Sequence, residues 1–207
     1  MNTKYITSAD GTQIAYDYWK GSSDGILLVH QLPSNRKSWT PLVQLLTDPG
    51  YSVMAIDYRG RGESSGQLKQ PEDFQNIAMD IDTAISHMNN QGVKRIIIIG
   101  ASIGANHALL ASQRHMNIAG TALLSPGLDY RGVKTENAAK QSTKPILIIA
   151  SEDDHYAAKT ARHLHELAQG SKLTLYNSAG HGTDMFVEKE LLKNLADFTT
   201  STFAQKV

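Results

Sequence analysis

Five short stretches of the chain run apolar almost without interruption: Gly25-Ile26-Leu27-Leu28-Val29-His30, Val53-Met54-Ala55-Ile56-Asp57, Arg95-Ile96-Ile97-Ile98-Ile99-Gly100, Gly120-Thr121-Ala122-Leu123-Leu124 and Pro145-Ile146-Leu147-Ile148-Ile149-Ala150. Runs of this length predict strands covered on both faces, because only then do both alternating sets of side chains leave water. A sixth strand candidate, Lys172-Leu173-Thr174-Leu175-Tyr176, follows. At the start, alternating stretches over 4–7 and 12–19 flank Ala9-Asp10-Gly11, and Asp-Gly between such runs signals a hairpin.

Helical periodicity fills the gaps. Phe74, Ile77, Ala78, Ile81, Ile85 and Met88 recur at the spacing of one face of a long helix. Ala157, Ala161, Leu164 and Ala168 make a second stripe, and Leu191, Leu195 and Phe198 a third. Strands alternating with helices predict parallel pairing through right-handed crossovers, with helices on both faces of the sheet. The expected fold is therefore α/β, with a mostly parallel central sheet and an N-terminal antiparallel hairpin. No linker, repeat or low-complexity segment divides the 207 residues, so residues 1–207 read as a single domain.

Composition narrows the function classes. Hydrophobic residues make up 41% and charged residues 19%, as in globular rather than disordered chains. Twenty basic residues balance twenty acidic ones, which argues against a nucleic-acid partner. No apolar run reaches membrane-spanning length, and the N-terminus lacks the basic start and apolar stretch of a secretory signal; a cytoplasmic location is expected. With no cysteine, a thiol nucleophile and thiolate metal sites are excluded.

The chemistry concentrates at Gly100-Ala101-Ser102-Ile103-Gly104, directly after the most apolar strand and before a helical stretch, 105–114. This is a G-x-S-x-G turn in the strand-to-helix context it requires. Side chains at 100 and 104 would collide in so tight a turn. Ser102 is lifted clear of the sheet at a helix N-terminus, whose dipole favours developing negative charge. A serine hydroxyl needs a base, and chain order in this architecture runs serine, acid, histidine. His181 sits in Asn177-Ser178-Ala179-Gly180-His181-Gly182, just past the last strand and free of apolar neighbours. His155 is a distant second candidate. His87, His107, His115, His163 and His165 fall on helical stretches, where a solvated face is expected, and His30 ends a buried strand. The acid lies in Glu152-Asp153-Asp154, leaving the penultimate strand; register decides which carboxylate serves.

With these motifs the whole chain resembles the α/β-hydrolase family. The resemblance sets the acid loop against the family's G-x-x-D turn, with Ser151 in the glycine place and Asp154 in the acid place; Asp153 is the near alternative, and Asp129, after the preceding strand, a third. An oxyanion hole needs backbone N–H donors. Ile103, following the nucleophile, supplies one, and the match of His30-Gln31-Leu32-Pro33 to the family's His-Gly-x loop implies Leu32 as the other. Gln31 replaces the usual glycine, and its amide is itself available to assist; Pro33 has no N–H to offer. Asp57-Tyr58-Arg59-Gly60-Arg61-Gly62-Glu63-Ser64 also matches the family and reads as a structural turn rather than an anion clamp.

Many relatives insert a helical cap where this chain has the short polar segment 127–144, so no large cap and an open site are expected. The resemblance implies a serine hydrolase, carboxylesterase- or thioesterase-like, using a Ser102–His181–Asp154 triad on a small-molecule ester of a small or short-chain acyl group. No cofactor and no metal are called for, and the sequence leaves the oligomeric state open. Perhydrolase chemistry uses the same triad; dehalogenases and epoxide hydrolases place an aspartate at the elbow. The alternative is a non-catalytic interaction protein that retained the fold, which would usually show a missing triad member. A metallohydrolase on Glu152, Asp153, Asp154 and His155 is disfavoured, since adjacent side chains diverge and no spaced histidine pair supports a metal.

Overall fold

The computed structural model describes residues 3–205. Its eight-stranded sheet has the order β1 (Lys4–Thr7), β2 (Gln13–Trp19), β4 (Ser52–Ile56), β3 (Asp24–Val29), β5 (Arg95–Ala101), β6 (Ile118–Leu124), β9 (Ile146–Ser151), β10 (Lys172–Tyr176). β1 pairs antiparallel with β2, and β2 antiparallel with β4; every other pairing in this sheet is parallel. The sheet therefore carries all its parallel carboxyl ends along one edge.

Two apolar clusters sandwich it. On one face α1 (Thr40–Thr47) and α7 (Lys189–Ala204) bury Leu42, Leu46, Leu191, Leu195 and Phe198 against Ile26, Leu28, Ile97 and Ile99. On the other, α3 (Ile77–Asn90), α4 (Ile103–Arg114), α5 (Glu136–Gln141) and α6 (His155–Leu167) cover Leu27, Ile96, Ile98 and Ile148. Burying each large aliphatic side chain contributes about 1.5–3 kcal/mol. β3, β4 and β5 are buried on both faces, as their continuous apolar runs require.

The structure corrects two expectations. The stripe from Phe74 to Met88 is not one helix: α2 (Pro71–Gln75) ends before Asn76, and α3 begins at Ile77. Phe74 packs on the same core but belongs to a separate turn started by Pro71. His107 is not solvated; it is 1% exposed, because α4 is enclosed by β5, β6, α3 and α5, and its ring bonds the Phe74 carbonyl at 2.9 Å. α1 is an element beyond the three expected stripes, marked by Pro41 at its start and by Leu42, Val43 and Leu46 on its inner face.

Between β6 and β9 the chain adds only the hairpin β7 (Asp129–Tyr130) and β8 (Val133–Lys134), followed by α5. That leaves the carboxyl edge without a large cap. Among the described residues no helix is long and apolar enough to cross a membrane.

Candidate active site

Ser102 takes φ 54° and ψ −121° between β5 and α4, a conformation that costs a non-glycine residue on the order of 1–3 kcal/mol. The surroundings hold it there. Its N–H donates to the Leu124 carbonyl at 2.8 Å, and its own carbonyl accepts from Ala105 and Asn106 at 2.9 and 3.2 Å. The flanking glycines permit the close approach: a Cβ at 100 would lie 2.3 Å from the Gly104 oxygen, and one at 104 would lie 2.3 Å from the Val29 oxygen.

At the other end of the site, His181 Nδ1–H donates to Asp154 Oδ2 at 2.5 Å. Asp154 also caps α6, accepting from the Ala157 N–H through Oδ1 at 3.2 Å. One carboxylate thus fixes a helix start and a histidine ring at once. The neighbouring acids are engaged elsewhere. Asp153 accepts from Gly180 N–H and Ser178 Oγ, each at 3.2 Å, and Glu152 pairs with Arg162. Asp129 accepts from Gly132 N–H within its own hairpin. His155 begins α6, and among the described residues it makes no ion pair. Among the described residues no group of three His, Cys, Asp or Glu side chains is placed to hold a metal.

Two serines complete the loop around His181: Ser151, read from the sequence only as standing in the glycine place of the acid turn, and Ser125, not singled out there. Ser151 Oγ accepts from the Ala179 N–H at 2.7 Å. Ser125, itself at φ 49°, accepts from the Gly182 N–H at 2.9 Å. Both lie at the ends of β9 and β6, a position that is the only sequence signal of this role.

The loop after β3 is organised by His30. It is fully buried, and burial lowers its pKa to about 4, so the ring is neutral at ordinary pH. Its Nδ1–H donates to the Gln31 carbonyl at 2.7 Å, and its face stacks on Tyr58 at 4.2 Å. In a trans peptide the C=O and the following N–H point in opposite directions, so the Leu32 N–H faces away from the His30 ring. Among the described residues neither the Leu32 nor the Ile103 N–H has a hydrogen-bond acceptor within the protein. The Gln31 side chain is not directed at this opening. Its Oε1 accepts from Thr183 N–H and Oγ1–H at 2.7 and 2.8 Å, and its Nε2 donates to the His181 carbonyl at 3.4 Å.

The site is open: the His181 side chain is 41% exposed, against 20% for Asp154. Ser102 Oγ makes no hydrogen bond among the described residues, so the structure holds the Asp154–His181 contact but not one from serine to histidine. Hydrogen bonds between catalytic groups are often long in unliganded enzymes and tighten around substrate.

The fold is that of the α/β-hydrolases. The chain belongs to the family described as serine aminopeptidase, S33, whose model matches residues 22–135. Over 111 residues it is 31% identical to a non-heme haloperoxidase from Rhodococcus erythropolis, a match covering 54% of this chain and 39% of that one. The matched part thus spans well under half of that relative's length. In structure it is similar to the esterase EaEST from Exiguobacterium antarcticum, with a TM-score of 0.83 at 17% identity over 96% of this chain and all of the other. It is also similar to the Pyrococcus furiosus esterase Pf2001, with a TM-score of 0.82 at 18% identity, over 97% and 90% of the two chains. At such identities the two esterases establish the shared fold.

Proposed function

We propose that this protein, as one domain over residues 1–207, hydrolyses carboxylic esters of small or short-chain acyl groups through an acyl-enzyme on Ser102. The observation that carries the reading is the Asp154–His181 hydrogen bond, at the same sheet edge as a serine with positive φ at a strand-to-helix turn. A helix-capping serine has no need of that backbone strain.

In the first half-reaction His181 Nε2 takes the Ser102 Oγ proton while Oγ attacks the ester carbonyl carbon. The carbonyl electron pair moves onto its oxygen, which the Leu32 and Ile103 N–H groups receive. Asp154, bonded to Nδ1–H, fixes the ring tautomer and stabilises the imidazolium. The imidazolium then protonates the leaving oxygen as the carbon–oxygen bond breaks, releasing the alcohol and leaving the acyl group on Ser102. Water, deprotonated by the same nitrogen, attacks the acyl carbon, and collapse returns the proton to Ser102 and releases the acid. Thioesters fit the same sequence of steps.

The preference for short acyl groups follows from the small 127–144 excursion. A long chain bound at an open surface buries little of its length, and each Å² left wet forgoes about 25 cal/mol.

Labelling with a fluorophosphonate probe tests the reading. An adduct located at Ser102 by mass spectrometry, and absent from Ser102→Ala, is the expected result. No adduct on folded protein would overturn it and favour a non-catalytic interaction role.

A further inference from the structure

Gln31 lies between the two halves of the site and touches both. Its backbone carbonyl receives the His30 Nδ1–H and thereby orients the Leu32 N–H. Its side chain reaches across to a segment 152 residues away, accepting from both donors of Thr183 and donating to the carbonyl of His181. The residue is 3% exposed, so these bonds are shielded from competition with water. Gly182 makes room for them. At φ +59° it carries no Cβ, and a Cβ there would lie 2.3 Å from Gln31 Oε1. On the N-terminal side, residues 178–180 and the Gly182 N–H are pinned by Asp153, Ser151 and Ser125. Immediately after, at Thr183, the side chain that holds the loop is that of Gln31.

We infer that Gln31 is a positioning residue that locks the His181 loop to the oxyanion loop, so that the base and the Leu32 N–H keep one fixed separation. The carboxamide suits the task because it accepts and donates at once. A carboxylate would face the His181 carbonyl with no proton to give, and the glycine usual at this place in α/β-hydrolases would provide no tether. The inference rests on the serine-hydrolase reading for its kinetic consequence, though not for the contact itself.

The experiment compares wild type with Gln31→Ala, Gln31→Glu, Thr183→Val, Thr183→Ser and the double variant Gln31→Ala/Thr183→Val, after circular dichroism confirms folding. A short-chain p-nitrophenyl ester gives kcat and KM, and proton NMR follows the His181 Nδ1–H resonance. Gln31→Ala is expected to lower kcat roughly 10- to 100-fold with KM within about threefold, as displacement of a reacting group does, and to broaden the resonance. Gln31→Glu should lose activity similarly, and Thr183→Ser should retain it. The double variant should be no worse than Gln31→Ala alone, because one interaction is removed twice.

A kcat within about twofold of wild type and an unchanged resonance in Gln31→Ala would overturn the inference, as would losses that multiply in the double variant. If Gln31→Ala does not fold, the contrast between Thr183→Val and Thr183→Ser decides by the same two readouts. If wild type neither turns over the ester nor takes the fluorophosphonate, the functional reading fails, while the NMR comparison still decides whether Gln31 holds the loop.

Discussion

Two loops leave the same edge of the sheet and are built from opposite materials. The turn after β4 is made of buried charge. Asp57, fully buried, takes the backbone N–H and the guanidinium of Arg36, and Arg36 also reaches Glu63 and Asp17. Arg59, 5% exposed, pairs with the fully buried Asp80 and with Asp10. The loop after β10 is held mainly by neutral side chains, Ser125, Ser151 and Gln31, with the exposed Asp153 beside them, and its Asp154–His181 contact is partly open to solvent. Where charges are neutralised in the interior, the carboxylates of Asp57 and Asp80 are committed to Arg36 and Arg59. Where mainly neutral groups do the holding, the His181 side chain stays partly exposed, with Nδ1 bonded to Asp154.

If that contrast is right, the two regions should fail in different ways. The largest effect is expected at Asp154→Asn, which leaves the helix cap but presents the wrong partner to His181 Nδ1; kcat for ester hydrolysis should fall on the order of 10⁴-fold, with the melting temperature nearly unchanged. Arg59→Met should do the converse. It leaves Asp80 buried without its cation, costing about 3–5 kcal/mol in urea unfolding, while the folded fraction keeps its specific activity. An equal loss of activity per folded molecule would erase the distinction between the two loops.

Acid should attack the scaffold through its buried histidines. Burial holds both His30 and His107 near pKa 4 in the folded protein, against 6.5 unfolded. Below pH 6.5 the unfolded chain takes up protons that the folded chain refuses. Stability is therefore undiminished by these groups above that value and is lost as pH falls toward 4, by up to about 3 kcal/mol for each histidine. Unfolding near pH 5 should take up close to two protons; a flat stability profile from pH 7 to 4.5 would contradict the burial. The smallest effect belongs to Asp153→Asn. An amide oxygen still accepts from Gly180 N–H, so kcat should drop less than about tenfold, and a drop matching that of Asp154→Asn would move the acid assignment.

The sequence carried the fold further than it carried the site's support. Continuous apolar runs at β3, β4, β5, β6 and β9 read directly as buried strands because burial on both faces leaves no alternation to misread. Ser102 was visible because its glycines are an immediate local requirement. The break at Asn76 was hidden because residues on both sides of it face the same core, so the periodicity runs through it. The roles of Gln31, Ser125 and Ser151 were not legible either. Each bonds the backbone of a segment distant in sequence, and a side chain that recognises backbone leaves no trace in the identity of its partner.

The hexapeptide from Ser178 to Thr183 has a consequence for how the molecule comes into being. It is gripped by residues following β3, β6 and β9 together, and none of those grips is local. A chain in which any one of these strands has yet to dock cannot present its histidine correctly, however native its helices are. Since contacts so remote in sequence form late and at large entropic cost, catalytic competence should be among the last properties to arrive during refolding, trailing the far-ultraviolet signal and coinciding with completion of the sheet.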